Sequence, residues 1–345
     1  MAENTGQFES RKQDHIRLAL DPRTQALGHS GLNHIKLVHE ALPELNFDEI
    51  NLTSDYWGHP TKVPLFISSM TAGHVGALDL NSRLAKAAET AGWAMGVGSQ
   101  RRELFDSAAR DEWKRVRKVA PNALLFGNLG IAQVITAKTE EVAALVESLE
   151  AKALFVHLNP LQECLQPEGT PHFRGGAEKI RELCRKLPVP VIVKEVGCGL
   201  RAETVSRLLG LGVAAVDVAG FGGTHWGRLE GYRSPKDSLK AAAAETFSDW
   251  GLSTLESLLE ARLAQPQAQI WASGGVRTGL DAAKLISLGA DKIGVAQPLL
   301  QAALESEDRL MQALSQFEFE LKVALFCTGC ATPAELKSRR MWRWT

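Results

Sequence analysis

The sequence predicts an α/β protein of the (β/α)8, or TIM-barrel, class with an N-terminal extension, and three observations predict it. Eight short runs rich in β-branched and apolar residues recur along the 345-residue chain, each ending in a small or polar residue. Most of their starts lie about 23 to 37 residues apart, the length of one strand, one helix and two loops. Runs such as Val191-Ile-Val-Lys194 and Ala214-Ala-Val-Asp-Val218 are largely apolar on both faces, as parallel strands covered by helices are.

The eight predicted strands are Val63 to Ser69, Ala94 to Ser99, Leu124 to Gly130, Ala153 to Asn159, Pro190 to Val196, Ala214 to Gly220, Gln269 to Gly275 and Lys292 to Gln297. Between them, segments such as Ala77 to Ala91 and Glu140 to Leu149 place apolar residues at helical spacing with charges between. Two connections are long. One follows the fourth strand, from Pro160 to Gly176, and reads as a loop rich in turn formers. The other opens with Gly220-Phe-Gly-Gly-Thr-His-Trp-Gly227 and separates the sixth and seventh starts by about 55 residues, a length usually functional or mobile. Residues 1–62 lack the strand-helix alternation and are expected to cover the barrel as an extension and substrate lid, with residues 63–345 forming the barrel. The last residues, Arg339-Arg-Met-Trp-Arg-Trp-Thr345, read as a frayed or subunit-packed terminus, with contact to a membrane or partner as the alternative.

Composition narrows the function classes. A formal net charge of −1 disfavours a nucleic-acid partner, which calls for a basic excess. No run approaches the roughly 18 apolar residues of a membrane span, and the polar first 15 residues lack the pattern of a secretory signal. Five cysteines do not form a disulfide framework, so the chain reads as cytoplasmic. Cys327 and Cys330 form a single C-x-x-C without a second pair, which reads as two reduced thiols.

In this fold the chemistry sits where strands end. Ser273-Gly-Gly-Val-Arg277 and Gly294-Val-Ala-Gln-Pro298 end the seventh and eighth runs. Glycines let backbone N–H groups approach an anion, and a following helix N-terminus favours negative charge, so the two loops read as a phosphate cradle to which Arg277 adds a charged fork. Lys194 ends the fifth strand in a run suited to burial. It should therefore face an anionic or electron-rich partner, with a Schiff base or an ion pair to Glu195 as alternatives. In His157-Leu-Asn-Pro-Leu-Gln-Glu163, alternation directs His157 and Asn159 to one side, and Gln162 and Glu163 follow at the mouth. One carboxylate among amides suits Mg2+, which keeps several waters; the bland alternative is a Glu163 that faces solvent. Arg11-Lys-Gln-Asp-His15 is a cationic cluster outside the barrel that either faces water or closes over a second phosphate-bearing ligand.

Across nearly its whole length the chain resembles the type 2 isopentenyl diphosphate isomerases. The matching pieces are Arg-Lys-x-Asp-His-Ile at 11–16, Ser-x-Met-Thr at 68–71, Gly-Ser-Gln-Arg at 98–101, Gly-Asn-Leu-Gly at 127–130, His-Leu-Asn-Pro-Leu-Gln-Glu at 157–163, Lys-Glu-Val-Gly at 194–197, Gly-Gly-Thr at 222–224 and Ser-Gly-Gly-Val-Arg at 273–277. The resemblance implies FMN used in its reduced form, Mg2+, NADPH as reductant, and interconversion of isopentenyl and dimethylallyl diphosphate without net redox change. It also implies a homo-oligomer, a tetramer or octamer. By motif position Thr71, Ser99, Asn128, Lys194 and Thr224 are expected on the flavin ring and ribityl chain, and Gly274, Gly275, Arg277 and Ala296 in its phosphate loops. Arg11, Lys12, His15, Arg101 and Asn159 are expected on the substrate, Gln162 at the reacting carbons and Glu163 on the metal. Ala72 and His225 depart from the pattern, standing where Gly and Ser are expected. The competing reading is an FMN-dependent 2-hydroxy acid oxidoreductase, which would recruit His225 and Arg228 as a catalytic His beside an Arg.

Overall fold

The computed structural model describes residues 14–71 and 77–345. Its centre is a closed barrel of eight parallel strands, all eight within the predicted runs: β1 Leu65–Ile67, β2 Ala94–Gly96, β3 Leu124–Gly130, β4 Ala153–His157, β5 Val191–Lys194, β6 Ala215–Asp217, β7 Ile270–Ala272 and β8 Lys292–Val295. Consecutive strands are neighbours, and β8 closes on β1 through Ile293↔Leu65 and Val295↔Ile67. Side chains alternate as the pleat demands. Leu65 and Ile67 join the large apolar layer between strands and helices, whereas Phe66 joins Phe126, Phe155, Ile192 and Trp271 inside the barrel.

The extension does more than cover one end. A hairpin, Ser54–Tyr56 paired with His59–Thr61, turns through Trp57 and Gly58, both at positive φ (52° and 86°) as a tight two-residue hairpin turn requires. It pushes Tyr56, 2% exposed, against Trp271 (5.4 Å, edge-on) and Phe126 (5.5 Å). That seals the barrel where the strands begin. Residues 24–30 lie instead over the opposite end: Ala26 N–H donates to Gly223 O (2.8 Å), His225 N–H to Thr24 O (2.8 Å) and Leu255 N–H to Ser30 O (3.0 Å).

Three expectations are corrected. The C-terminal Trp342–Trp344 does not fray but pairs antiparallel with Ile35–Leu37 of the extension, a match between residues too distant in sequence to be read from local pattern. The connection after β4 opens as a short helix, Pro160–Leu165, because Pro160 at its first turn is preset for helix and needs no N–H there. The long connection after β6 is largely helical, with Trp226–Arg233, Leu239–Thr246 and Thr254–Ala264. Among the described residues no helix is long and apolar enough to cross a membrane. All five cysteines are free.

Candidate active site

Strand register assembles the site. Gly130↔His157, His157↔Lys194 and Lys194↔Asp217 are Cα partners, so the ends of β3 to β6 lie level at the mouth. His157 Nδ1 is 2.9 Å from Asn128 Oδ1. Asn128 is braced from behind, its N–H donating to Oε1 of the fully buried Gln100 (3.1 Å). The Gly-Ser-Gln-Arg piece thus divides its labour: Gln100 supports β3, whereas Ser99 and Arg101 line the cavity.

Lys194 is buried and its Nζ lies 4.0 Å from Asp217 Oδ2. The alternative reading, an ion pair with Glu195, does not form through side chains. Glu195 turns back to accept the N–H groups of Val196 (2.7 Å), Gly197 (2.7 Å) and Cys198, bracing the loop, and offers Lys194 only its backbone carbonyl. Burial pushes the Glu195 carboxyl up to about 7, opposed by those N–H groups and Lys194. Asp217 is also pushed up by burial, opposed by Lys194 and by the Ser273 hydroxyl, which donates at 2.9 Å. Lys194 is therefore held in a buried layer beside Asp217, on the wall of the cavity where a bound ligand would meet it.

The glycine loops form a backbone cradle. Gly274 and Gly275 have φ of 99° and 74°, and a Cβ on Gly275 would fall 2.5 Å from Gly222 O. Gly222-Gly223 and Gly274-Gly275 thus pack backbone on backbone, a contact only glycine permits. Ala296 caps the helix Gln297–Glu305 without a side-chain hydrogen bond, which leaves that N-terminus open to an anion. By contrast, Thr278 and Asp281 close the N-terminus of Gly279–Ser287 in a capping box, so of the two helix ends only that at Ala296, beside the β7 loop, lacks a side-chain cap. Arg277 is held toward it by Gln25 of the extension (Nη2 to Oε1, 3.0 Å), and burial lowers its guanidinium pKa.

On the helix after β4, Gln162 is pinned at both ends. Its Oε1 accepts from Asn159 Nδ2 (3.0 Å) and its Nε2 donates to Glu230 Oε1 (2.9 Å). Glu230, on Trp226–Arg233, is fully buried and also meets His15 Nε2 (3.0 Å) and Arg233 Nη1 (2.6 Å). Burial opposes its ionisation, but the His15 hydrogen bond and charge, with Arg233 and Gln162, carry its pKa down to about 2. Glu163 does not face solvent: it is 6% exposed and accepts from Asn159 Nδ2 (3.2 Å) and Thr170 N–H (2.5 Å).

One cavity gathers His15, Ser99, Arg101, Asn128, Asn159, Gln162, Glu163, Lys194, Thr224, Gly274, Gly275, Arg277 and Ala296. Thr71 is not on its wall; its buried hydroxyl donates to Asn81 instead. Arg11, Lys12 and Ala72 lie outside the described residues. Glu230, Trp226, Met70 and Gln25 belong to the site and were missed by sequence reasoning. Trp226 and Glu230 do stand at i, i+4 behind the Gly-Gly-Thr turn, the one local signal that could have flagged them.

The residues fit both implied cofactors. Ser68 and Ser69 keep buried hydroxyls without partners beside the cradle, suited to a polar phosphorylated ligand such as FMN. The buried, unpartnered Oδ1 of Asn159 beside the Glu163 carboxylate suits a hydrated divalent cation. Among the described residues no group of three or more His, Cys, Asp or Glu side chains could cage a metal, so such an ion would rely on water and substrate oxygens.

Comparison with known proteins bears on the flavin. The profile of the FMN-dependent dehydrogenase family matches residues 160–343. The fold is shared with mandelate oxidase in complex with 3,3-difluoro-2-hydroxy-3-phenylpropionic acid (TM-score 0.65, 16% identity, 99% of this chain and 98% of that one) and with the monotopic membrane protein (S)-mandelate dehydrogenase (TM-score 0.65, 15% identity, 99% and 98%). Fold, cradle and profile define an FMN-dependent (β/α)8-barrel enzyme. The sequence is also 52% identical over 345 residues to the isopentenyl-diphosphate delta-isomerase of Bdellovibrio bacteriovorus (99% of each chain), 50% identical over 339 residues to that of Legionella pneumophila (98% and 99%), and 43% identical over 324 residues to that of Methanosarcina acetivorans (93% and 88%). The chain belongs to the isopentenyl-diphosphate delta-isomerase family.

Proposed function

We propose that this chain interconverts isopentenyl and dimethylallyl diphosphate with FMN in its reduced form and Mg2+, without net redox change. The observation that carries the reading is the double anchoring of Gln162 between Asn159 and Glu230. The reaction must add a proton to an unactivated alkene and remove one from a neighbouring carbon, and an amide fixed at both ends and backed by a carboxylate positions or relays such a proton. When bound, reduced FMN supplies an electron-rich ring able to take and return a proton. Lys194, Asn128, Ser99 and Thr224 would hold its ring and ribityl chain, and Gly274, Gly275, Arg277 and the N-terminus at Ala296 its phosphate. Thr71 keeps a flavin-facing role in this proposal only through its backbone, given its bond to Asn81.

Glu163 would hold Mg2+, which neutralises and orients the diphosphate. His15 and Arg101, with Arg11 and Lys12 of the extension, would meet the diphosphate, so the substrate lid on the barrel of 63–345 would be the first part of the 1–62 extension, whose hairpin at 54–61 closes the opposite end. Ile16, Met70, Trp226 and Leu300 furnish the apolar wall that keeps water from positive charge developing on the substrate. NADPH as reductant, a tetramer or octamer and a cytoplasmic setting complete the reading.

The rival oxidoreductase reading loses its residues. His225 is buried as a helix cap, Arg228 Nε donates to Arg23 O (2.9 Å), and neither lines the cavity. The test is turnover in D2O under anaerobic conditions with reduced FMN and Mg2+. Deuterium entering the product while the flavin spectrum stays reduced supports the proposal, and flavin that oxidises stoichiometrically with product formation refutes it.

A further inference from the structure

His225 follows the Gly-Gly-Thr turn of the site, and its side chain has a defined task there. The ring is 1% exposed and edge-on to Phe221 (5.7 Å). Its Nδ1 accepts the Arg228 N–H at 3.0 Å, which makes the imidazole the N-cap of the helix Trp226–Arg233. That helix begins with Trp226, a wall of the cavity packed edge-on against His15 (5.3 Å), and carries Glu230, the partner of Gln162. The His225 N–H is meanwhile fixed to Thr24 O, so one residue joins the extension, the β6 loop and the Glu230 helix.

The cap defines the ring's protonation state. Because Nδ1 accepts, the proton of the neutral ring sits on Nε2, which is buried near the Trp250 backbone and closes no hydrogen bond of ordinary geometry. An imidazolium would set an Nδ1–H against the Arg228 N–H, donor against donor, and would bury its charge. We infer that His225, in its neutral Nε2–H form, is the positioning residue of the Glu230 helix, and that protonation of its ring releases the cap and misplaces Trp226 and Glu230.

The charged groups facing the ring are Arg228 on its own helix, which opposes a second positive charge, and Asp249 from the segment preceding Thr254–Ala264, which favours one. Thr24 and Phe221 present a backbone carbonyl and an uncharged ring. Burial, aided by Arg228, outweighs the Trp250 and His225 backbone and Asp249, which favour the charged ring, and holds the imidazole below its ordinary value. With the native pKa below the unfolded value of about 6.5, the unfolded chain binds more protons in the window between them. The stabilisation is therefore complete above about pH 6.5 and is lost as pH falls through the native value.

The kinetic half of the test rests on the isomerase reading; the thermal half does not. The holoprotein is compared with His225→Asn, whose Oδ1 can occupy the capping position but cannot titrate, and with His225→Phe, which fills the space and cannot cap. At pH 7.5 the Phe variant should lose roughly 5- to 30-fold in kcat/KM, the size of a lost cap, with the FMN Kd changed less than about threefold. The Asn variant should return to within about threefold of wild type and lack the part of the acid limb that wild type shows below about pH 6.5. Without substrate, Tm should fall with acid more steeply in wild type than in His225→Asn. A Phe variant as active as wild type, an Asn variant no better than Phe, or identical Tm–pH slopes would overturn the inference. Absence of turnover in every protein, with the Tm difference intact, would count against the isomerase reading and leave the cap assignment supported.

Discussion

His15 Nε2 stands 3.0 Å from Glu230 Oε1, and this contact ties the helical residues 14–19 of the extension to the helix after β6, directly above Gln162. The same oxygen receives the Gln162 amide, so substrate closure, carboxylate charge and amide orientation meet on one atom.

Replacing that charge is the first prediction. Glu230→Gln should leave His15 without its buried counter-ion and Arg233 with Glu168 alone (2.6 Å), and lower stability by about 3 kcal/mol. It should lower kcat about 100-fold while FMN affinity stays near normal, since no cradle residue is touched. Because the native carboxyl is held down at about 2, its stabilising charge is complete above the ordinary carboxyl range and lost only as pH falls toward 2. Glu230 itself should therefore contribute no titration to the rate between pH 5 and 9, and chemical denaturation with a pH–rate profile on both proteins checks each part.

Glu163→Gln separates metal from flavin. It keeps an acceptor for Asn159 or Thr170 but removes the negative charge, so the Mg2+ concentration for half-maximal rate should rise at least about tenfold and turnover should fall, with FMN bound as before. A titration with Mg2+ at saturating substrate measures this; unchanged Mg2+ dependence would remove Glu163 from the metal site.

The barrel was legible because its periodicity is local: each strand is short, apolar on both faces and ends in a small or polar residue. The close packing of the Gly222-Gly223 and Gly274-Gly275 loops was legible for the same reason, since consecutive glycines mark a close backbone approach. Glu230 was not. Its role exists only after the fold brings residue 230 beside residue 162, and the one local hint, its i, i+4 spacing from Trp226, does not by itself distinguish a buried carboxylate from a solvated one. The Ile35–Leu37 pairing with Trp342–Trp344 and the Tyr56 plug were hidden in the same way. Thr71 is a different case: motif position places it on the flavin but does not reveal that its hydroxyl is taken by Asn81, ten residues on.

Gly275→Ala should damage FMN binding specifically. Its Cβ would fall 2.5 Å from Gly222 O at a φ of 74°, a strain of about 1 to 3 kcal/mol placed directly under the phosphate. FMN affinity should drop about 10- to 100-fold, and wild type should prefer FMN to FAD, whose extra nucleotide meets the closed cradle. Fluorescence titration of the apoprotein with both flavins decides; equal affinities for FMN and FAD would contradict the assignment.

Arg11 and Lys12 lie outside the described residues, but His15 of the same cluster lines the cavity. Changing both to Ala should raise KM and lower kcat, each about tenfold or more, by removing charge-assisted contacts to diphosphate. FMN affinity should not move. Unchanged steady-state kinetics would show that the cluster has no part in binding.

The central claim is that this site isomerises a homoallylic diphosphate to its allylic isomer and does not oxidise a hydroxy acid. The most direct measurement gives anaerobic protein, FMN reduced beforehand and Mg2+ a supply of isopentenyl diphosphate and follows product by NMR alongside flavin absorbance. The account predicts dimethylallyl diphosphate over many turnovers per flavin, with the flavin still reduced at the end. No dimethylallyl diphosphate, together with bleaching of the oxidised flavin by a 2-hydroxy acid, would contradict it.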